Sequence, residues 1–144
     1  MNETLLDICI EGGGKDARFL LAHGADANNR RGDGWCVLER AAQNDNPAVV
    51  EALLDAGAGD LAEGLCASAA EGHTALAALL LDRGADVHAM NDAALFSAAL
   101  NGRLETATLL LQRGATAENY ILDRAVQRGH HAVADLLRAH GAVV

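Results

Sequence analysis

Six histidines, three cysteines and twenty acidic residues are the groups in this 144-residue chain that could ligate a metal or move a proton. Their spacing argues against both uses. A zinc pair on one helix face needs two histidines four residues apart, and His130, His131 and His140 do not provide it. A catalytic histidine needs a nucleophile or carboxylate partner at a recognisable spacing, and none stands out. Cys9, Cys36 and Cys66 are odd in number, far apart and without a C-x-x-C pair, so the expectation is reduced, partly buried thiols. Gly12-Gly13-Gly14-Lys15 has the outline of a phosphate loop but lacks a preceding strand and a following Ser or Thr. Glu63, Glu71, Asp82 and Glu105 are scattered as solvated helix-surface charge, and only folding could pair them for acid–base work. The expectation is therefore no catalytic residue, no metal ligand, no cofactor and no enzyme activity.

What remains is chemistry of recognition. Trp35 is the only tryptophan, and it follows Arg31-Gly32-Asp33, an adhesion-like tripeptide that reads as coincidence here. Tryptophan is enriched at interface hot spots, which makes Trp35 a binding candidate ahead of plain packing. Twenty acidic against eleven basic residues give a net charge of −9, which disfavours phosphate backbones and anionic membranes. A protein partner, basic or neutral, fits that charge, and self-association stays open. The single lysine, Lys15, amid many arginines hints at a bacterium with a G+C-rich genome. Met1 to Glu11 carries no basic n-region or cleavage site, and no run reaches the ~18 apolar residues of a membrane span, so a cytoplasmic protein is expected.

The elements that must position these residues show themselves as a repeat. Gly-Ala pairs stand at Gly24-Ala25, Gly57-Ala58, Gly84-Ala85, Gly114-Ala115 and Gly141-Ala142, with spacings of 33, 27, 30 and 27 residues. Twelve residues before each pair lies a turn position: Gly12, Asp45, Gly72, Gly102 and Gly129. Seven residues before each turn stands Leu5, Leu38, Leu65, Leu95 or Leu122, and eight after it Leu20, Leu53, Leu80, Leu110 or Leu137. Apolar residues at helical spacing, such as Leu76, Leu79 and Leu80, complete one face per helix. A lone helical hairpin of about 25 residues cannot offset its chain entropy, so the hairpins must stack on one another's leucines. Aromatic content of only 3% means that this core is assembled from small aliphatic side chains on closely packed helices. The glycine after each second helix suits a left-handed cap, and Asn46-Pro47 suits a helix start.

This pattern resembles the ankyrin-repeat family over nearly the whole chain. Gly24 to Ala42 keeps the family's 33-residue spacing and its Gly-Ala-Asp-x-Asn opening, and similar pieces are Glu71-Gly72-His73, Gly84 to His88 and Asn101 to Glu105. The resemblance implies an all-α solenoid, a single domain over residues 1–144 with repeats at about 2–34, 35–60, 61–90, 91–119 and 120–144. It also gives His73 and His130 structural roles after the turn glycines. Two departures matter. The family's Thr-Pro-Leu-His survives only as its leucine, in Cys36-Val37-Leu38-Glu39 and Ala93-Ala94-Leu95-Phe96, which puts the usual bonds at those helix starts in question. The later links are shorter than the first by 6, 3 and 6 residues, so a full finger is expected only between Asp26 and Trp35, with tight turns elsewhere. Arg138, where other repeats carry Leu21, Leu54, Leu81 and Leu111, suits a polar C-terminal cap. The more apolar first helix, with Leu6, Ile8, Cys9 and Ile10, is either an imperfect cap or itself an interface.

In the family, ligands lie along a concave surface of first helices and fingers. Carried onto this chain, the contact positions are Ile10 and Glu11, Gln43 and Asn44, Ala70 and Glu71, Leu100 and Asn101, and Gln127 and Arg128, joined by Arg31, Asp33 and Trp35 from the finger. The expected function is a protein-binding module without catalysis. The alternative is an immunity-type or regulatory inhibitor of a specific basic enzyme or toxin, steered to its target by charge.

Overall fold

The computed structural model describes residues 5, 12–30 and 32–143. The expectations on Cys9, Ile10, Glu11 and Arg31, and on the first helix as cap or interface, lie outside the described residues. Within them the regular elements are nine helices: α1 (Gly14–Ala22), α2 (Val37–Gln43), α3 (Pro47–Asp55), α4 (Leu61–Glu71), α5 (Thr74–Asp82), α6 (Ala89–Leu100), α7 (Leu104–Gln112), α8 (Asn119–Gln127) and α9 (His131–Ala139). An isolated antiparallel bridge between Arg30 and Cys36 closes the finger predicted between Asp26 and Trp35.

Local chemistry explains where the helices start and stop. The Asn46 side chain accepts a hydrogen bond from the Val49 N–H at 3.4 Å while Pro47 takes the first helical position of α3. At α2 the missing threonine is replaced by a thiol: Cys36 Sγ accepts from the Glu39 N–H at 3.3 Å. The glycines after the second helices all turn left-handed, from φ 93° at Gly57 to 103° at Gly84. Gly102 is held for two reasons. Its φ is 69°, and a Cβ there would sit 2.5 Å from His130 Nδ1.

Two rows of helices build the stack. First helices pack α2 on α4, α4 on α6 and α6 on α8, and in the second row α1 meets α3, α5 meets α7 and α7 meets α9. Leu5, Leu38, Leu65, Leu95 and Leu122 from the first row, with Leu53, Leu80, Leu110 and Leu137 from the second, are buried. Burial of each such side chain contributes about 1.5–3 kcal/mol, before the chain entropy that opposes it. Leu20 is only partly buried, because among the described residues α1 has a second-row neighbour, α3, on one side alone.

Side chains after the turns tie each repeat to the one before. Asn46 Nδ2 donates to the Gly12 carbonyl at 2.9 Å, His73 Nε2 to Gln43 at 3.1 Å, Arg103 Nε to Ala70 at 3.0 Å and His130 Nε2 to Leu100 at 3.0 Å. The last three acceptors are carbonyls at the ends of first helices, which have no partner inside their own helix. His73 and His130 thus serve as struts. Along the second row Asp55 bridges Arg18 and Arg83, and Asp82 pairs with Arg113. These pairs are exposed, each worth about 0–1 kcal/mol. Arg138 is exposed and pairs with Asp135 at 3.1 Å, as suits a polar outer surface.

One link differs from its expected form. Between the third and fourth repeats there is not a simple tight turn: Met90, Asn91 and Asp92 take φ of 54°, 57° and 58°, a left-handed turn, before the right-handed helix begins. This link spaces its Gly-Ala pairs by 30 residues, against 27 in the links on either side, and the turn absorbs that excess of three. His88 Nδ1 contacts the Asp92 carboxylate at 2.9 Å, and the Tyr120 hydroxyl donates to the Asn91 carbonyl at 3.0 Å. Those bonds offset a conformation that costs roughly 1–2 kcal/mol per L-residue.

Candidate recognition site

The finger delivers Trp35 to the start of α2 and is fastened at several points. The Trp35 N–H donates to the Asp33 carboxylate at 3.2 Å, and Arg30 reaches the Gly34 carbonyl at 2.9 Å. Arg30 also bonds Asp60 at 2.8 Å and Glu63 at 2.7 Å, tying the finger to α4 and its start. Asn28 spans to the next link, accepting from Gly59 N–H at 2.8 Å and donating to the Gly57 carbonyl at 3.3 Å. A loop held this way loses little further entropy on binding.

Trp35 is half-buried, and the Arg40 guanidinium lies 4.6 Å from its ring centroid. Arg40 Nη1 donates to Gln43 Oε1 at 3.1 Å. Arg40 Nε is buried without a hydrogen-bond partner, and the cation–π contact offsets part of that desolvation. Glu39 and Gln43 lie four residues apart on one face of α2, and Trp35, two residues before the helix, borders the same cavity. Opposite them Ala67, Ala70 and Glu71 on α4 complete a cavity of about 220 Å³, with Cys66 also in its wall. A second cavity, also about 220 Å³, lies among Asp33, Gly34, Trp35 and Glu39.

The electrostatics here are uneven. The Arg30 guanidinium holds the Glu63 carboxyl below its ordinary value, whereas burial, and then the charge of Glu63, pushes the Glu39 carboxyl up. Burial pushes the Cys36 and Cys66 thiols up to about 11, so both are protonated at neutral pH and poor nucleophiles. Cys36, Glu39 and Glu63 bring potential ligand atoms within 4.8 Å of one another. They do not fit a cation: Glu63 is engaged by Arg30, and the thiol serves as the cap of α2.

The candidate residues are placed as follows. Trp35, Gln43 and Glu71 border one cavity, with Asp33 in the adjoining one. Asn44 and Asn101 are exposed, but each Nδ2 donates back to its own helix, to Arg40 and Ser97 carbonyls at 2.9 Å. Leu100 is half-buried at the end of α6 with its carbonyl taken by His130. Gln127 bonds Asp123 at 2.9 Å, and Arg128 is exposed just beyond α8. The first-helix stacking sets these end positions in one row, repeat after repeat. Sequence reasoning missed Glu39 and Arg40. The four-residue step from Gln43 back to Glu39 on α2 was a signal that could have found the former, while the stacking of Arg40 on Trp35 had none.

Helix pairs stacked through a shared leucine core, with side chains of the first row left outward at each repeat, define a helical-repeat scaffold with an extended recognition face. The family model of ankyrin repeats (three copies) matches residues 65–144, and the chain belongs to the ankyrin-repeat family. Ankyrin repeats are generally protein-interaction modules and typically non-catalytic. Curated proteins give no significant match to the chain. No helix among the described residues is long and apolar enough to cross a membrane.

Proposed function

We propose that this protein is a non-catalytic module, a single domain that binds another protein through the face built by α2, α4, α6, α8 and the finger. The contact set is Arg31, Asp33, Trp35, Gln43, Asn44, Glu71, Leu100, Asn101, Gln127 and Arg128. The observation that carries this reading is the half-buried Trp35 at the mouth of a cavity between two repeats, on a loop already fastened by Arg30 and Asn28. An aromatic anchor in a preorganised pocket with a polar surround is the usual anatomy of an interface centre. The reading includes a bacterial source, supported by the arginine-over-lysine bias, and a cytoplasmic location.

Affinity capture from native lysate, followed by mass spectrometry, tests it. The native chain and a Gln112→Ala variant on the opposite row are expected to retain the same protein, and Trp35→Ala to lose it while keeping its helicity. Equal retention by all three would move binding off this face. The net charge of −9 supports a narrower form of the reading, an inhibitor of a basic enzyme or toxin. Its association rate would fall steeply as salt rises, and a rate indifferent to ionic strength would remove that form.

A further inference from the structure

The lining of the cavity between α2 and α4 combines two unlike chemistries. One is indole: Trp35 borders both cavities on this face, and Arg40, which stacks on the ring, borders neither. The other is carboxylate, from Glu39 on α2 and Glu71 at the end of α4. Small side chains, Ala67 and Ala70, line the cavity as well and leave room for a long side chain to enter. Among the described residues, the arginines around the cavity already have partners. Arg30 serves Asp60 and Glu63, Arg40 stacks on Trp35 and bonds Gln43, and Arg103 directs Nε to the Ala70 carbonyl. Burial, and then the charge of Glu63, raise the Glu39 carboxyl by more than Arg30 and Arg40 lower it, the sign of a negative charge short of compensation.

We propose that this cavity receives one arginine side chain of the protein partner, its guanidinium plane against Trp35 and its N–H groups directed to Glu39 and Glu71. The proposal rests on the first-helix face being the binding face, and it specifies what that face reads. Arginine suits the walls better than lysine does. Its plane stacks on an indole, its weaker hydration lowers the cost of entry, and its forked donors reach two carboxylates at once. A leucine would cover Glu39 without compensating it, and an acidic side chain would add like charge. The overall charge of −9 favours the same occupant, an arginine on a basic protein surface.

Because Trp35 is the sole tryptophan, its fluorescence and its indole N–H resonance report on this cavity without labelling. The full chain is titrated with acetyl-Ala-Arg-Ala-amide and with the same peptide carrying lysine, citrulline or leucine at its centre. The arginine peptide is expected to give a saturable change, the lysine peptide one about threefold weaker or more, and the two uncharged peptides none. Glu71→Gln, an exposed change, and Glu39→Gln should each weaken the arginine response about three- to tenfold. An equal response to citrulline or leucine, or a saturable response to none of the peptides by either readout, overturns the proposal. If the arginine peptide fails while capture of a partner still depends on Trp35, the arginine assignment alone falls. If capture is also indifferent to Trp35, the binding face falls with it.

Discussion

Glu39 and Glu63 sit close together yet titrate in opposite directions, and that contrast makes a test at the level of single residues. Arg30 lowers the Glu63 carboxyl, so the stability from that pair is present above the ordinary value of 4.5 and is lost as pH falls through the lower folded value. Burial raises the Glu39 carboxyl. The folded chain therefore holds that proton more tightly than the unfolded chain, and stability declines as pH rises from 4.5 through the folded value. Glu39→Gln is accordingly expected to raise the urea midpoint at pH 7, with the gain closing toward pH 4. Glu63→Gln should lower the midpoint at pH 7. A Glu39→Gln chain less stable than the native one at pH 7 would show that the ionised carboxylate is well compensated in the folded protein. A residue that weakens the fold while serving a pocket is what a binding role would leave behind.

At the scale of elements, the left-handed turn at Met90–Asp92 is an insertion of three residues into a link that works without them on either side. Deleting residues 90–92 gives the third link the 27-residue spacing of its neighbours. The shortened chain is expected to unfold cooperatively with its helicity intact, since strain of roughly 1–2 kcal/mol per left-handed residue goes together with the His88–Asp92 and Tyr120–Asn91 contacts. Circular dichroism and a urea transition check this. Loss of cooperativity would mean that the turn is needed to bring α6 onto α4 and α8.

For the whole molecule, stability is distributed along the stack, each repeat covering the next, so the cost of a cavity depends on its place in the row. Leu95, fully buried on α6 between α4 and α8, is expected to cost about 2–5 kcal/mol when changed to Ala. The equivalent change at Leu20, partly buried on α1, should cost clearly less. Urea denaturation of the two variants compares them directly. Equal losses would indicate that residues before α1 cover Leu20 as fully as a second-row neighbour would.

The constant interval from turn to Gly-Ala pair and the recurring leucines determined the fold, because helix period and the need to bury one face leave a stacked arrangement as the way to use them. Asn46-Pro47, the glycine caps and the single finger were legible for the same reason: each is a local rule acting over a few residues. Trp35, Gln43 and Glu71 could be named from their repeat positions. That they surround one cavity with Glu39 was decided by the distance between α2 and α4, which side chains from both helices set together. The thiol cap at Cys36, the stacking of Arg40 on Trp35 and the left-handed turn at Met90 were decided only in three dimensions. Each depends on competition among neighbours brought together by packing, and a linear pattern does not encode its outcome.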